Sequence, residues 1–327
     1  MNVTTLRVTA TLLGLSVLSV APLAPSFPTP PSGASTPSAE TTQAPPAATH
    51  SATRMYRGRS EDEWMRRMHE QPVVRTIERF ESTLNVFHMD LGDGVEISFQ
   101  PAQERLEHFW RHEVASYHLV RVLGIEHRAP PTIGKRVPLS AFGRYARNVA
   151  LLVDRDGMVP GSASVWVPVL NHAHMHLAPE RRVWSSWMNP ANPIPEESRE
   201  RARQVSEVLV FDFLAADYDR WNCCNIAVDE HDDLVFRDND AGWISRVINN
   251  HGNPAVTRRV PRYLFESMQR ATPESLRASI ARDPLASRYE YVSDDALVGY
   301  ENRRQAMLAS LRRMIARHGE PAVLYWP

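Results

Sequence analysis

Between Phe211 and Trp243 the chain reads F-D-F-L-A-A-D-Y-D-R-W-N-C-C-N-I-A-V-D-E-H-D-D-L-V-F-R-D-N-D-A-G-W, and no other stretch limits the fold as tightly. A helical stripe ends in an acid-rich loop, a short strand-like run follows, and Leu234-Val235-Phe236 delivers a second group of acids. Carboxylates resist burial unless donors meet them, so a fold that accepts this segment must set the acids at a polar edge or bring donors to them. The order of groups is also the one that phosphoryl transfer from a nucleotide requires. One carboxylate receives or orients the acceptor hydroxyl, while an amide oxygen and a further carboxylate hold Mg2+ against the phosphates. Asp219 fits the first role, Asn225 the second and Asp238 the third, at separations of six and nineteen residues from Asp219. Singly, such residues are ordinary turn formers, so the signal lies in their order and spacing.

The helix entering this loop spans roughly Glu196 to Leu214 and buries Ala202, Val205, Val208, Leu209 and Phe213 along one stripe. Asp212 stands inside that stripe, and the loop just after the helix is the expected source of its donors. Upstream, from Arg75 to Val169, short β-like runs alternate with turns. Gly92-Asp93-Gly94 predicts a hairpin turn into the alternating strand Val95 to Phe99. A helix is expected from about Glu104 to Leu123, closed by Gly124. Val149 to Val153 and Ser164 to Val167 are expected to pair around the Asp154 to Gly157 turn. Beyond Val169 the texture is helical. Thr272-Pro273-Glu274 starts one helix, and another begins near Ser293, carries Met307, Leu308, Leu311, Met314 and Ile315 on one face, and stops at His318-Gly319. The Arg303-Arg304 and Arg312-Arg313 pairs are expected on its wet face.

With 37 basic against 38 acidic side chains in 327 residues, the chain lacks the cationic excess of a nucleic-acid-binding surface. The cysteines, Cys223 and Cys224, are adjacent, which excludes a disulfide scaffold and any C-x-x-C pattern. Lys135 is the only lysine. His172, His174 and His176 alternate along one run and read as a surface loop or, alternatively, a metal site. Val8 to Ala24 reads as a signal peptide or an uncleaved N-terminal anchor, so the protein is expected to be exported. Residues 25 to 54 are a Pro/Ser/Thr/Ala-rich tether without the apolar surface to fold. No further run is long enough to span a bilayer.

F-D-F-L-x-x-D-x-D-R-W, followed by Asn225 and by D-N-D-x-G-W, resembles the catalytic segment of the secretory-pathway kinases of the four-jointed type and their bacterial relatives. The resemblance extends upstream through Phe99-Gln100-Pro101, Trp110 to Tyr117, Leu123-Gly124-Ile125, Pro130-Pro131-Thr132 and Gly161 to Pro168, covering most of residues 90 to 245. It implies an α+β, two-lobed protein-kinase-like fold, with a β-rich N-lobe carrying one helix at 55–169 and a mainly helical C-lobe at 170–327. It also implies an enzyme that uses ATP with Mg2+ or Mn2+ and transfers the γ-phosphoryl to a hydroxyl of a protein or glycan. By the family pattern Asp219 is the catalytic carboxylate, Asn225 and Asp238 are metal ligands, and Glu113 orients a nucleotide-binding lysine. The lysine position is occupied by Gln100. A neutral amide replaces neither the phosphate contact nor the ion pair in full. Three readings follow: a pseudokinase, an active enzyme in which Lys135 or Arg105 supplies the charge, or altered nucleotide or metal use. Because the tether has no surface to contribute to a core, deleting residues 1 to 54 is expected to leave the melting temperature of the remaining chain unchanged in a thermal-unfolding comparison.

Overall fold

The computed structural model describes residues 55–81, 84–106, 108–168, 171–221, 225–244 and 254–327. The leader, the tether and Cys223-Cys224 lie outside the described residues. A helix, α1 (Glu61–Glu70), opens the folded part and is one the sequence reading passed over. Its signals are nonetheless present. Ser60 accepts a hydrogen bond from the Glu63 N–H, and three acids occupy the first turn. Trp64 and Met68, one helical turn apart, are buried.

Strands β1 (Arg75–Glu81), β2 (Asn85–Asp90) and β3 (Glu96–Pro101) lead to helix α2 (Phe109–Leu123), followed by β4 (Thr132–Pro138) and β5 (Met158–Val165). The five strands form one antiparallel sheet in the order β1-β2-β3-β5-β4. Gly92, Asp93 and Gly94 all take positive φ between β2 and β3, which only a short polar or glycine sequence tolerates. Helix α2 starts at Phe109 because Leu106 has a φ of 59°, which no right-handed helix continues through; Gly124, at 74°, ends it as expected. The Asp154 to Gly157 turn forms, but its N-terminal flank does not. Leu151 makes only an isolated bridge to Gln103, and the partner of β5 is instead β4.

Register sorts the sheet into two faces. Phe99 stands opposite Ala163, and Ala163 opposite Ile133; these join Phe87, Met89, Val137 and Val159 in a core closed by Trp64 and Met68 of α1. The other face carries Ser98, Gln100, Thr132, Gly134, Ser162 and Ser164 and turns away from that core.

The C-terminal half is built on α3 (Ala178–Trp187), α4 (Arg199–Ala215), α5 (Arg262–Arg270), α6 (Pro273–Ile280) and α7 (Asp294–His318), with strands β6 (Ile226–Val228) and β7 (Leu234–Phe236) paired between α4 and α5. Helix α2 shares this larger core. Val114, Tyr117, Val120 and Leu123 pack with Val205, Leu209 and Phe213 of α4 and with apolar residues of α5 to α7. The segment after α6 reaches back to the sheet, where Asp283 accepts the Gly134 N–H at 2.9 Å and the Leu285 N–H at 2.9 Å.

Arg303 and Arg304 are buried, not on the wet face. The Arg303 guanidinium donates to the carbonyls of Leu214 and Ile244, each at 3.0 Å, and so finishes the C-terminus of α4 where backbone acceptors are left over. Arg304 donates to the Met268 carbonyl at 2.8 Å and pairs with Glu301. Arg312 and Arg313 are exposed as expected. Arg303→Met is therefore expected to cost about 1–3 kcal/mol, read as a lower urea midpoint, whereas Arg312→Met stays within about 0.5 kcal/mol.

Candidate active site

Helix α4 carries Asp212 into the interior, where the carboxylate is fully buried. Its donor comes from the following loop. Arg220 Nε donates to Asp212 Oδ1 at 3.0 Å, as the stripe position of this acid requires. The same guanidinium donates to Asp217 Oδ2 at 3.1 Å, to the Asn225 carbonyl at 2.9 Å, to the Arg237 carbonyl at 2.5 Å and to Asn239 Oδ1 at 2.5 Å. Phe211 and Phe236 stack on each other, centroids 5.6 Å apart, and each ring centroid lies 5.8 Å from the guanidinium carbon. Burial raises Asp217 and Asp212, with one guanidinium shared between them, and the two acids hold Arg220 above its ordinary value.

This buried cation folds the loop that presents the sequence-predicted acids. Asp217 Oδ1 accepts the backbone N–H groups of Asp219 and Arg220, at 2.9 and 3.1 Å. Asn225 Nδ2 donates to Asp219 Oδ2 at 3.1 Å and to the Asp219 carbonyl at 3.2 Å, so these two residues stand together. The pairing of Ile226 with Phe236 sets Asn225 and Asp238 at the same end of the β6–β7 pair. Asp238 takes a left-handed φ of 51°; its side chain remains 49% exposed while the next residue, Asn239, turns inward and is 3% exposed. Trp221 stacks near Trp184 of α3, centroids 5.0 Å apart, which braces the loop from outside.

Helix α2 reaches the same segment. Glu113 accepts the Asn239 N–H at 2.6 Å on one oxygen and the Asn239 side-chain amide at 3.1 Å on the other. One turn on, Ser116 donates to the Asn239 carbonyl at 2.7 Å and accepts from Trp243 Nε1 at 3.0 Å. Burial first, then the nearby Asp238 charge, push Glu113 up to about 7 against the hydrogen bonds from Asn239. Gln100 lies at the end of β3, 9% exposed, and its amide donates to Asp240 Oδ2 at 2.7 Å. Gln100 and Glu113 therefore meet the same tripeptide, Asp238-Asn239-Asp240, at adjacent residues. A Cβ at Gly161 would fall 2.4 Å from the Gln100 carbonyl oxygen, so only glycine allows β5 this close to Gln100.

Lys135 is elsewhere. It stands opposite Gly161, on the face of the sheet away from Gln100, and its ammonium donates to the Met68 carbonyl at 2.6 Å and the Gln71 carbonyl at 2.8 Å, at the C-terminal end of α1. Burial pushes it down to about 8. The expectation that its charge replaces the missing lysine is corrected by this one-residue register: Gly134, not Lys135, shares the face of Gln100. Arg105 is exposed in the bend before α2. Sequence reasoning gave roles to Asp219, Asn225, Asp238, Glu113 and Gln100 but missed Asn239, Asp240 and Arg220. All three lie inside the D-N-D and D-R-W triplets that carry the family resemblance.

The donors at this edge are hard oxygens, Asn225 amide and Asp238 carboxylate, which suit Mg2+ or Mn2+. Among the described residues no group of three or more His, Cys, Asp or Glu side chains is arranged to hold a metal ion by itself. That includes His172, His174 and His176, whose neighbouring ring centroids are 6.2 and 6.1 Å apart. A divalent ion held by two protein groups takes its remaining ligands from phosphate oxygens and water.

No protein-family model matches the sequence, and no curated protein does. Among solved structures the chain is similar to the Golgi casein kinase with Mn and ADP bound, at a TM-score of 0.60 and 16% identity over 81% of this chain and 78% of that one. A further Golgi casein kinase structure gives 0.58 and 15%, over 81% and 79%. Hydra Fam20 with sugar gives 0.55 and 16%, over 79% and 90%. At these identities the likeness is one of fold, and the fold is kinase-like: an antiparallel five-stranded sheet on a mainly helical lobe.

Asp240 is held well above the ordinary carboxylate value, first by burial and then by Glu113, against the hydrogen bond from Gln100. A raised acid contributes stability that is present below its unfolded pKa and lost as pH rises through its folded value. Asp240→Asn keeps an acceptor for Gln100 and removes the charge. The variant is expected to match the wild type in melting temperature near pH 4 and to exceed it increasingly towards pH 8. An advantage that shrank with rising pH would contradict the burial argument.

Proposed function

We propose that this protein is a metal-dependent phosphotransferase of the four-jointed type, exported, that moves the γ-phosphoryl of ATP to a hydroxyl of a protein or glycan. The observation that carries the reading is the chain of contacts Glu113–Asn239–Arg220–Asp217, which fixes Asp219, Asn225 and Asp238 at one edge. Asp219 faces the acceptor hydroxyl and takes its proton; Asn225 and Asp238 hold Mg2+ or Mn2+, which would neutralise phosphate charge when bound. Glu113 acts through Asn239 as a positioning residue. The fold neighbours support the reading: the Golgi casein kinase is described with Mn and ADP, and hydra Fam20 with sugar.

A second reading, a nucleotide-binding pseudokinase, is favoured by one specific observation. Gln100 spends its amide on Asp240, and Lys135 is committed to α1, so the acids at this edge face no lysine. Transfer of label from ATP to a panel of protein and sugar acceptors separates the two readings. With Mg2+ or Mn2+ present, ATP is expected to raise the melting temperature, and without them not. Asp238→Ala should abolish that shift, and Asp219→Ala should keep it while lowering transfer by about 100-fold or more. Lys135→Met should leave transfer per folded molecule unchanged. A metal-dependent shift without transfer, with transfer gained in Gln100→Lys, identifies the pseudokinase; equal shifts in wild type and Asp238→Ala would overturn both readings.

A further inference from the structure

The first turn of α2 carries a pair of imidazoles that the catalytic reading does not use. In His108-Phe109-Trp110-Arg111-His112 the histidines are four residues apart. Two histidines at that spacing share one helix face and can chelate a divalent metal. The turn between them is closed, because the His112 N–H donates to the His108 carbonyl at 3.2 Å. Their ring centroids lie 4.9 Å apart. A zinc–nitrogen bond of about 2.1 Å, plus roughly 1.2 Å from nitrogen to ring centre, puts each centroid about 3.3 Å from the ion, so two imidazoles at about 90–110° around it stand about 4.5–5.3 Å apart. The observed pair falls inside that window, whereas the neighbouring rings of His172, His174 and His176, at 6.2 and 6.1 Å, fall outside it. His112 is also prepared as a ligand. Its Nδ1 lies 3.2 Å from the Asp240 carbonyl oxygen, which can only accept, so the proton is on Nδ1 and the lone pair on Nε2. Metal-bound histidines carry such an outer hydrogen bond, which fixes tautomer and ring orientation. Burial pushes His112 down to about 4 and so keeps the ring neutral. His108 is exposed, and its side chain makes no capping hydrogen bond at the start of the helix.

We propose that His108 and His112 bind one nitrogen-seeking divalent ion, of the Zn2+, Ni2+ or Cu2+ class, with water completing its coordination. Two imidazoles select such an ion over Mg2+, which prefers oxygen donors, so this site and the acid edge of Asn225 and Asp238 take different metals. The helix dipole opposes a cation here, but only weakly beside two coordinate bonds. By bridging residues 108 and 112 the ion holds the first turn of α2 closed, so its binding stabilises the folded chain. The site stands on these contacts alone and does not depend on the phosphotransferase reading.

Zn2+ alone is the probe, added without nucleotide to the full chain labelled with 15N-histidine, and the imidazole resonances and the melting temperature are read. The two rings are assigned by their loss in His108→Gln and His112→Gln. In the wild type both are expected to shift and saturate together, with a rise in melting temperature, and an excess of Mg2+ should not reverse the shift. His108→Gln, a change at an exposed side chain, should leave the metal-free melting temperature near that of the wild type. It should weaken binding at His112 by about tenfold or more, since even an outer partner of a metal ligand is typically worth that much. Replacing His172, His174 and His176 together by alanine should leave the response of the two rings unchanged. The proposal is overturned if the wild type shows no joint saturable shift, if His112 responds equally in His108→Gln, if Mg2+ reverses the shift, or if the response is lost with the other three histidines.

Discussion

One guanidinium, fully inside the protein, organises everything that surrounds it. The five N–H bonds of Arg220 point in a fixed planar fork, and each finds an acceptor: two carboxylates, two backbone carbonyls and one side-chain amide. Those acceptors belong to the end of α4, to the loop after it, and to the segment after β7. A lysine at this position has three donors and no plane, so it reaches neither this number of partners nor their geometry. Burying such a cation is favourable only with this degree of satisfaction, and removing one partner of a buried pair typically costs about 3–5 kcal/mol. The site is therefore coupled to the core: the groups that stand at its edge are held there by an interaction that the fold needs as well.

Asn239 is the joint through which that coupling crosses to the other half of the molecule. Its carbonyl oxygen takes Arg220, its amide nitrogen gives to Glu113, and its backbone N–H gives to Glu113 as well. Reversing the amide would put donor against donor and acceptor against acceptor, so the two partners fix its orientation. With Ser116 bonded to its carbonyl, the sheet-side helix is held to the loop at two consecutive turns. The neutral Gln100 belongs to the same arrangement. An amide donor at this point satisfies Asp240 without adding charge; after burial, the Glu113 charge helps to raise Asp240, while Arg220 offsets part of the rise at Glu113.

The parts of the site legible in the sequence were those whose chemistry depends on order along the chain. Asp219 and Asn225 are close in sequence and fold locally, and Asp212 announced its need for a donor by sitting in an apolar stripe. Register was not legible. Whether Lys135 or Gly134 shares a face with Gln100 depends on how β4 aligns with β5, and a shift of one residue exchanges the two. The strand expected before Asp154 failed for a related reason: β5 had a better partner in β4, far away in sequence, and local alternation carries no record of that competition. Arg303 and Arg304 misled because charge at helical spacing reads as a wet face unless the carbonyls waiting at the end of another helix are known.

The placement of Lys135 also has a chemical consequence. It carries the only side-chain primary amine in 327 residues, 7% exposed, with two of its three hydrogens bound to the end of α1. Reagents and modifying enzymes that seek lysine, whether acylating agents, aldehyde cross-linkers or the machinery that attaches acetyl groups or ubiquitin, find no side-chain target on the outside of the folded protein. An opening that lifts α1 from the sheet would uncover one, so acylation at Lys135 would mark molecules whose N-terminal helix had come away.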